Sequence, residues 1–293
     1  MSAPVLLALG AAVLFAIGNN LQRHAAAQVP AVGYGPVRLI LRLLRSPRWL
    51  AGGASATVAL FAQARALTQG GVILVQAVIA STLVFSLVIE AVLERRRPSS
   101  LQVGGAALVV SGITLLVGVG KPGAGGDFSS LWAAAPAWLA VGVAGGGALL
   151  LARERPRGRV TAMVLGSAAG VCFALDAVFL RGLARTVSPF DTLTVVTNAA
   201  GFAVASVFGN LVIQRAFHLA PLRHVLPAMA AAEPVAAFAC GWLLFGERLQ
   251  SGSIGVLAVN GGLLLMVTGV VLCSLRPVVR PVVPQRGPET LTT

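Results

Sequence analysis

The stretch that decides the fold is Leu222–Arg248, which reads LRHVLPAMAAAEPVAAFACGWLLFGER. It is apolar and long enough to cross a bilayer, because a helix needs about 20 apolar residues to span the hydrocarbon layer. Glu233 lies near its middle, and a charged side chain at membrane depth costs at least ~2.5–3.5 kcal/mol on insertion scales. Pro234 follows it and lacks a backbone N–H, which predicts a break in the helix. A carboxylate retained at that cost makes Glu233 the leading candidate for a functional residue.

The whole chain has the composition of a membrane protein. Of its 293 residues, 57% are hydrophobic and 11% are charged, whereas soluble domains carry about 25% charged residues. The net charge of +13 would suggest a nucleic-acid partner in a soluble protein. Here the basic residues lie between apolar runs, so membrane topology explains them and no nucleic-acid partner is expected. The three cysteines also fall within apolar runs, which predicts small core residues rather than disulfides.

Nine segments pass the length test for a membrane span, and the links between them are short. The sequence therefore predicts an all-α integral membrane protein, a polytopic bundle of about nine transmembrane helices. Residues 276–293 carry four prolines and three arginines and are expected to form a disordered cytoplasmic tail. The predicted spans are residues 4–23, 48–68, 72–93, 101–119, 131–152, 160–184, 192–215, 222–245 and 252–275.

The sequence does not decide whether Val32–Leu44 forms a tenth span. This segment is apolar but has only 13 residues. A helix of that length reaches about 20 Å. It is either an interfacial helix whose arginines meet lipid headgroups or a short span whose arginines face a cavity. The choice changes only the side on which the N-terminus lies.

The basic residues divide unequally between the two sides of the membrane. With the N-terminus outside and nine spans threaded, seventeen of the 22 Lys and Arg residues fall on one side and five on the other. Cytoplasmic loops carry the excess of Lys and Arg. The sequence therefore predicts a multi-pass protein of the cell membrane with its C-terminus in the cytoplasm.

The two halves of the chain resemble each other. Phe15-Ala16-Ile17…Arg23 aligns without gaps on Phe173-Ala174-Leu175…Arg181. An odd number of spans separates equivalent residues, so they lie on opposite sides of the membrane, as in an inverted-topology repeat. We expect repeats at 1–119 and 160–275, joined by a linker at 120–159 that includes one connecting transmembrane helix. The other matches are Gln63 with Gln214, Leu93-Glu94-Arg95 with Gly246-Glu247-Arg248, and Gly105-x6-Gly112 with Gly255-x6-Gly262 or Gly262-x6-Gly269.

Three features in order, Glu233-Pro234, Gly246-Glu247-Arg248 and Gly255…Gly262, make the chain resemble the EamA type of the drug/metabolite transporter superfamily. The resemblance covers Leu6–Leu275. It implies a secondary transporter that moves a small metabolite or cation by alternating access. The first half departs from it, with Ser81-Thr82 where the second has Glu233-Pro234. Nine spans rather than ten is closer to the magnesium-transporter branch, so a magnesium or divalent-cation transporter is the alternative.

The candidate site residues are carboxylates and amides within the predicted spans. Glu233 and Asp176 are expected either to face a central cavity or to bond to a neighbouring helix as structural groups. In the structural interpretation, Arg181 is the loose partner of Asp176. Glu247 and Arg248 are expected to pair at a helix end on the outer surface. The amide candidates, for which helix packing is the alternative, are Asn19, Asn20, Gln63 and Gln214.

Other function classes find little support in the sequence. It contains no Gly-rich nucleotide-binding loop before a lysine and no acid–base pair at a spacing suited to a hydrolase, so we predict neither an enzyme nor a cofactor. The predicted partners are the lipid bilayer and a small-molecule or cation substrate, while a homodimer and the nature of any metal site are left open. A non-transporting scaffold subunit, in which Glu233 is structural, is the hypothesis from another class.

Overall fold

The computed structural model describes residues 2–28, 44–93, 97–120, 122–123, 125–126, 131–154, 158–186, 192–219, 222–248 and 252–274. These residues are mostly helical, and they include no β-strand. Their eleven α-helices are α1 (Ala3–Ala27), α2 (Pro47–Gln69), α3 (Val72–Ile79), α4 (Thr82–Leu93), α5 (Ser100–Leu115), α6 (Leu131–Val141), α7 (Gly147–Glu154), α8 (Arg159–Arg185), α9 (Thr192–Leu219), α10 (Leu222–Phe245) and α11 (Gly252–Ser274). One π-helical turn, Leu116–Gly120, continues α5, and another, Gly142–Gly146, joins α6 to α7.

Eight helical segments of the described residues are long and apolar enough to cross a membrane. Large apolar side chains lie on the outside of the bundle, among them Leu139 at 70% exposure and Leu257 at 74%, as lipid contact requires. Helix α2 is the predicted span that does not join the eight. Its 23 residues are enough in length, but Gln63 and Arg65 lie in its last third. The segments are Ala3–Ala25, Val72–Leu93, Ser100–Gly120, Ala134–Leu151, Arg159–Arg185, Thr192–Phe217, His224–Phe245 and Gly255–Cys273.

The prediction of an all-α bundle with helices long and apolar enough to span a membrane is thus confirmed for the described residues. Three details of the sequence analysis lie outside the described residues. These are most of the Val32–Leu44 segment, the Glu94-Arg95 pair and the tail at 276–293.

Hydroxyl side chains fix where two of the helices begin. Ser46 precedes α2, and its Oγ accepts a hydrogen bond from the backbone N–H of Trp49 at 3.4 Å, with Pro47 at the first helical position. Ser99 precedes α5 and forms a reciprocal capping box with Gln102. Both arrangements satisfy backbone donors that the start of a helix leaves without a partner.

Glycines allow the helices to pack closely in pairs. Helix α1 packs on α2, α8 packs on α9 and α10, and α5 packs on α11. A Cβ added at Gly105 would lie 2.8 Å from the carbonyl oxygen of Gly269, and one added at Gly262 would lie 2.8 Å from that of Gly112. Ordinary contacts between non-bonded heavy atoms are about 3.5–4.0 Å, so the α5–α11 contact requires glycine. Because the lower-numbered glycine of α5 meets the higher-numbered one of α11, the two helices are antiparallel.

The break in the helices falls at a different place from the predicted one. Helix α10 continues through Pro234 without interruption, so the expected helix break at this proline is wrong. A proline removes one backbone N–H from the ladder, and the hydrogen bonds on either side of it suffice to carry the helix on. The predicted span 72–93 is divided instead, at Ala80-Ser81 between α3 and α4. There the Oγ of Ser81 donates a hydrogen bond to the carbonyl of Val78 at 2.6 Å.

Candidate functional site

A cavity of about 830 Å³ lies between the helices of the two halves of the chain. Its volume is in the range of sites that hold small organic molecules. Helices α1 to α4 supply one part of its wall, and α8 to α10 supply most of the rest. The polar side chains among its described lining residues are Asn19, Thr57, Gln63, Gln76, Thr82, Asp176, Ser206, Asn210 and Glu233.

Both candidate carboxylates line this cavity. Asp176 reaches it from α8, and its Oδ1 accepts a hydrogen bond from the Oγ of Ser206 on α9 at 3.1 Å. Glu233 reaches it from α10, and its carboxylate has no hydrogen-bond or ion-pair partner among the described residues. The close packing of α8 on α10 sets this position, because a Cβ at Gly170 would lie 3.0 Å from the backbone nitrogen of Glu233.

The amide candidates separate into those in the cavity and those away from it. Asn19 and Gln63 line it, and the Nε2 of Gln63 donates a hydrogen bond to the Oε1 of Gln76 at 3.0 Å. Asn20 is buried beside it, with its Nδ2 donating to the carbonyl oxygen of Ala16 at 2.9 Å. Gln214 is exposed and is not part of the cavity wall.

Sequence reasoning missed the hydroxyl groups of the cavity, above all Ser206. Serine and threonine occur throughout apolar helices, where they can bond to their own backbone, so their presence in a span gives little signal. Ser206 and Asn210 are four residues apart on α9 and therefore share a face. This four-residue spacing is the pattern in the sequence from which Ser206 and Asn210 could have been identified as site candidates.

A smaller pocket of about 350 Å³ adjoins the cavity at the end where α1 finishes. It shares Asn19 and Met229 with the larger cavity. An ion pair borders it, with Nη1 of Arg23 at 3.1 Å from Oε1 of Glu90. The two side chains are 34% and 29% exposed, so this end of the cavity is partly open to its surroundings.

A buried ion pair between Arg181 and Glu247 lies just beyond the opposite end of the cavity, next to Leu180 of its wall. Both side chains have 0% exposure. The expectation that Glu247 pairs with Arg248 on the surface is therefore wrong, as is the expectation that Arg181 is the partner of Asp176. The backbone N–H groups of Val72 and Ile73 donate to the Glu247 carboxylate at 2.5 and 2.9 Å. These three donors satisfy the hydrogen-bonding capacity of the carboxylate inside the protein. A carboxylate exposed to water at a helix end would not need protein donors.

Burial raises the pKa of the Glu247 carboxyl, because removal from water disfavours its charged form. The two backbone N–H groups and the Arg181 guanidinium act in the opposite direction. Loss of either partner would leave the other charge buried without its counter-charge.

The charges around the cavity favour a cation. Glu233 and Asp176 are acidic, and no Lys, Arg or His occurs among the described lining residues. The same wall carries the aromatic rings of Phe15, Phe173 and Phe202, whose faces attract cations. In the described part of the chain, no group of three or more His, Cys, Asp or Glu side chains is placed to hold a metal ion.

Comparison with known proteins yields a similarity that covers most of the chain. The chain is similar to an uncharacterized protein of Corynebacterium glutamicum, with 29% identity over 272 residues, which is 92% of this chain and 94% of the relative. No family model matches the sequence. No solved structure matches it either. The similarity extends over nearly the whole of both chains and is not confined to one local segment.

Proposed function

We propose that this protein is a secondary transporter that carries a small organic cation across the cell membrane. The observation that carries the proposal is the central cavity of about 830 Å³ with Glu233 and Asp176 in its wall. A charge without a partner is destabilising at membrane depth. Binding of a transported cation would explain why the chain has a carboxylate at position 233. Its carboxylate binds the substrate cation, and a proton or another cation replaces the substrate when it leaves.

Alternating access requires two halves that can exchange roles, and two observations support inverted repeats here. Gly105 contacts Gly269 while Gly112 contacts Gly262. This is the pattern expected if the helices are related by a twofold axis in the membrane plane and if Gly262-x6-Gly269 is the equivalent of Gly105-x6-Gly112. Arg23 and Arg181, which the sequence alignment pairs, lie at opposite ends of the cavity system.

The resemblance to EamA-type transporters agrees with this proposal. The distribution of Lys and Arg residues supports placing the end near Arg23 and Glu90 in the cytoplasm. The end near Arg181 and Glu247 then faces outward.

An organic cation fits the cavity better than Mg²⁺ does. Mg²⁺ requires octahedral oxygen coordination at 2.0–2.1 Å and usually keeps several waters. The wall offers three aromatic rings and many aliphatic groups beside its carboxylates. Such a wall suits a molecule with an apolar body and one or two amines.

The experiment that tests this proposal measures ligand stabilisation of the purified full-length protein in detergent. Melting temperature is followed with a panel of organic amines, amino acids and divalent cations, since a ligand that binds only the folded state raises it. We expect an organic cation to raise the melting temperature of the wild type and to have no effect on Glu233→Gln. Glu233→Asp, which keeps the carboxylate, is the matched control and should retain part of the response.

The scaffold hypothesis makes a different prediction for the same variants. If no ligand stabilises the wild type and Glu233→Gln lowers melting temperature and abundance, Glu233 is structural and the transporter proposal is wrong. A response to Mg²⁺ that Glu233→Gln abolishes would select the divalent-cation alternative.

A further inference from the structure

We propose that Arg181 and Glu247 are gate residues that hold one end of the cavity closed, and that Arg23 and Glu90 are their counterparts at the other end. This inference rests on the proposed transport function, because a gate has a role only if the cavity opens in turn to both sides. It adds a function for four residues outside the substrate site.

The contacts of Glu247 bring three parts of the chain together. Its carboxylate accepts hydrogen bonds from Val72 and Ile73 at the first turn of α3, and it pairs with Arg181 on α8. Glu247 itself follows the end of α10. The outer ends of these three helices are therefore joined at one carboxylate.

Arg181 adds a fourth segment to this junction. Its Nη2 donates to the carbonyl oxygen of Gly126 at 3.0 Å, and its guanidinium carbon lies 4.3 Å from the centre of the Phe245 ring. Gly126 belongs to the segment between the two halves, so this residue of the connecting segment is bonded to the same end. Leu180, the residue before Arg181, lines the cavity, which places the ion pair directly at the boundary of the cavity.

Close packing leaves no room for water around the pair. A Cβ at Gly71 would lie 2.6 Å from the Glu247 carboxylate, and one at Gly241 would lie 2.8 Å from its Oε2. A charged pair without exposure cannot remain intact while a path for substrate opens through the same contacts. Opening of this end therefore requires Arg181 and Glu247 to separate and become hydrated.

The other end has a related but looser pair. Arg23, the sequence equivalent of Arg181, bonds to Glu90 at 3.1 Å with both side chains about one-third exposed. Glu90 lies four residues before Glu94 in the sequence, and Glu94 is the sequence equivalent of Glu247. The smaller pocket beside this pair adjoins the cavity. The structure thus corresponds to a state that is closed at Arg181 and partly open at Arg23.

The test measures access to the cavity from each end. The full-length chain, with Cys172, Cys240 and Cys273 replaced by alanine, carries either Leu180→Cys near Arg181 or Ser86→Cys in the smaller pocket. Membrane vesicles of both orientations are treated with a membrane-impermeant maleimide. We expect Glu247→Gln to raise the labelling rate of Leu180→Cys about tenfold and to lower that of Ser86→Cys. A larger fraction of molecules open at the Arg181 end leaves a smaller fraction open at the Arg23 end.

Arg248→Gln is the matched control, since it removes a neighbouring charge that is exposed and outside the ion pair. It should leave both labelling rates unchanged. Glu90→Gln should act in the reverse direction to Glu247→Gln, with slower labelling of Leu180→Cys. Reciprocal change distinguishes a gate from simple loss of structure, because unfolding would raise labelling at both positions.

The inference is overturned if Glu247→Gln changes neither rate or raises both. The transport proposal is judged separately by ligand stabilisation that depends on Glu233. If that stabilisation persists while the labelling rates do not respond, the gate assignment fails alone. If both are absent, the proposed transport function fails with it.

Discussion

Replacing Gly112 by alanine should separate α5 from α11 and destabilise the bundle. The added Cβ would lie 2.5 Å from the carbonyl oxygen of Gly262 and 2.7 Å from the backbone nitrogen of Met266. Both neighbours are backbone atoms, so no side-chain rotation can relieve the contact. To restore ordinary distances the two helices must move apart by about 0.5–1 Å, which forfeits a quarter to a half of the dispersion energy of each affected atom pair.

The expected loss of stability follows from that movement. Overpacking of a well-packed core costs about 1–3 kcal/mol, and for a chain of this size that corresponds to a decrease of about 2–10 °C in melting temperature. Gly105→Ala should have a similar effect, because its Cβ would lie 2.8 Å from the Gly269 carbonyl oxygen and 2.9 Å from the Cys273 nitrogen. The assay is thermal unfolding of the purified variants in one detergent, followed by a thiol-reactive dye or by intrinsic fluorescence.

Gly104 provides the matched control because it is adjacent to Gly105 on the same helix and has no atom within 4 Å of an added Cβ. Gly104→Ala should melt at the wild-type temperature or above, since alanine is favoured over glycine in a helix by about 0.8–1.0 kcal/mol. If Gly112→Ala and Gly104→Ala have the same melting temperature, the close α5–α11 contact does not contribute to the stability of the bundle, and the reasoning is refuted.

Two further predictions concern the cavity wall and the lipid-facing surface. Gln63→Leu alone should lower the free energy of unfolding by about 1–3 kcal/mol, because it leaves the buried Gln76 without its hydrogen-bond partner. The Gln63→Leu/Gln76→Leu double variant should recover most of this loss of stability. Additive losses in thermal unfolding would show that the two amides are independent. Leu264→Arg should reduce the amount of protein in the membrane fraction, because Leu264 is the middle residue of the apolar segment Gly255–Cys273 and an arginine at the centre of a span costs about 2.5–3.5 kcal/mol. Wild-type abundance would mean that this face of α11, 67% exposed at Leu264, does not meet lipid.

The sequence predicts best where one residue is chemically out of place. Glu233 and Asp176 are carboxylates within apolar spans, and such groups face cavities because lipid cannot solvate them. Both residues can be identified without tertiary structure, and both line the cavity. Amides are less informative because their cost in a span is small. Asn19 and Asn20 are adjacent, yet only Asn19 contacts the large cavity, since neighbouring positions on a helix point about 100° apart.

The pairing of Arg181 with Glu247 could not be predicted from local sequence. Arg248 is the immediate neighbour of Glu247, and an adjacent opposite charge is the simplest expected partner. The true partner, Arg181, is 66 residues away. The other donors to this carboxylate come from α3, and Val72 lies a further 109 residues before Arg181 in the chain. Only the packing of α3, α8 and α10 brings these groups together.

The helix breaks show a similar limit. Pro234 carries a strong local signal for a break, yet α10 is one helix through both Pro227 and Pro234 and packs along α8. The interruption at Ala80-Ser81 has no proline or glycine to announce it. Local propensity is a weak prior, and tertiary contacts decide such cases.

The buried ion pair also constrains how the protein is made. Arg181 is synthesised 66 residues before Glu247, which at about 5–20 residues per second leaves an interval of several seconds. Arginine cannot lose its proton in a protein, so during this interval water or lipid headgroups must solvate the guanidinium while α9 and α10 are still being inserted. A nascent chain that stops before Gly246 lacks the counter-ion for a side chain destined for the interior. Such a chain should be a preferred substrate of membrane quality-control proteases, because the buried ion pair can form only after Glu247 is synthesised.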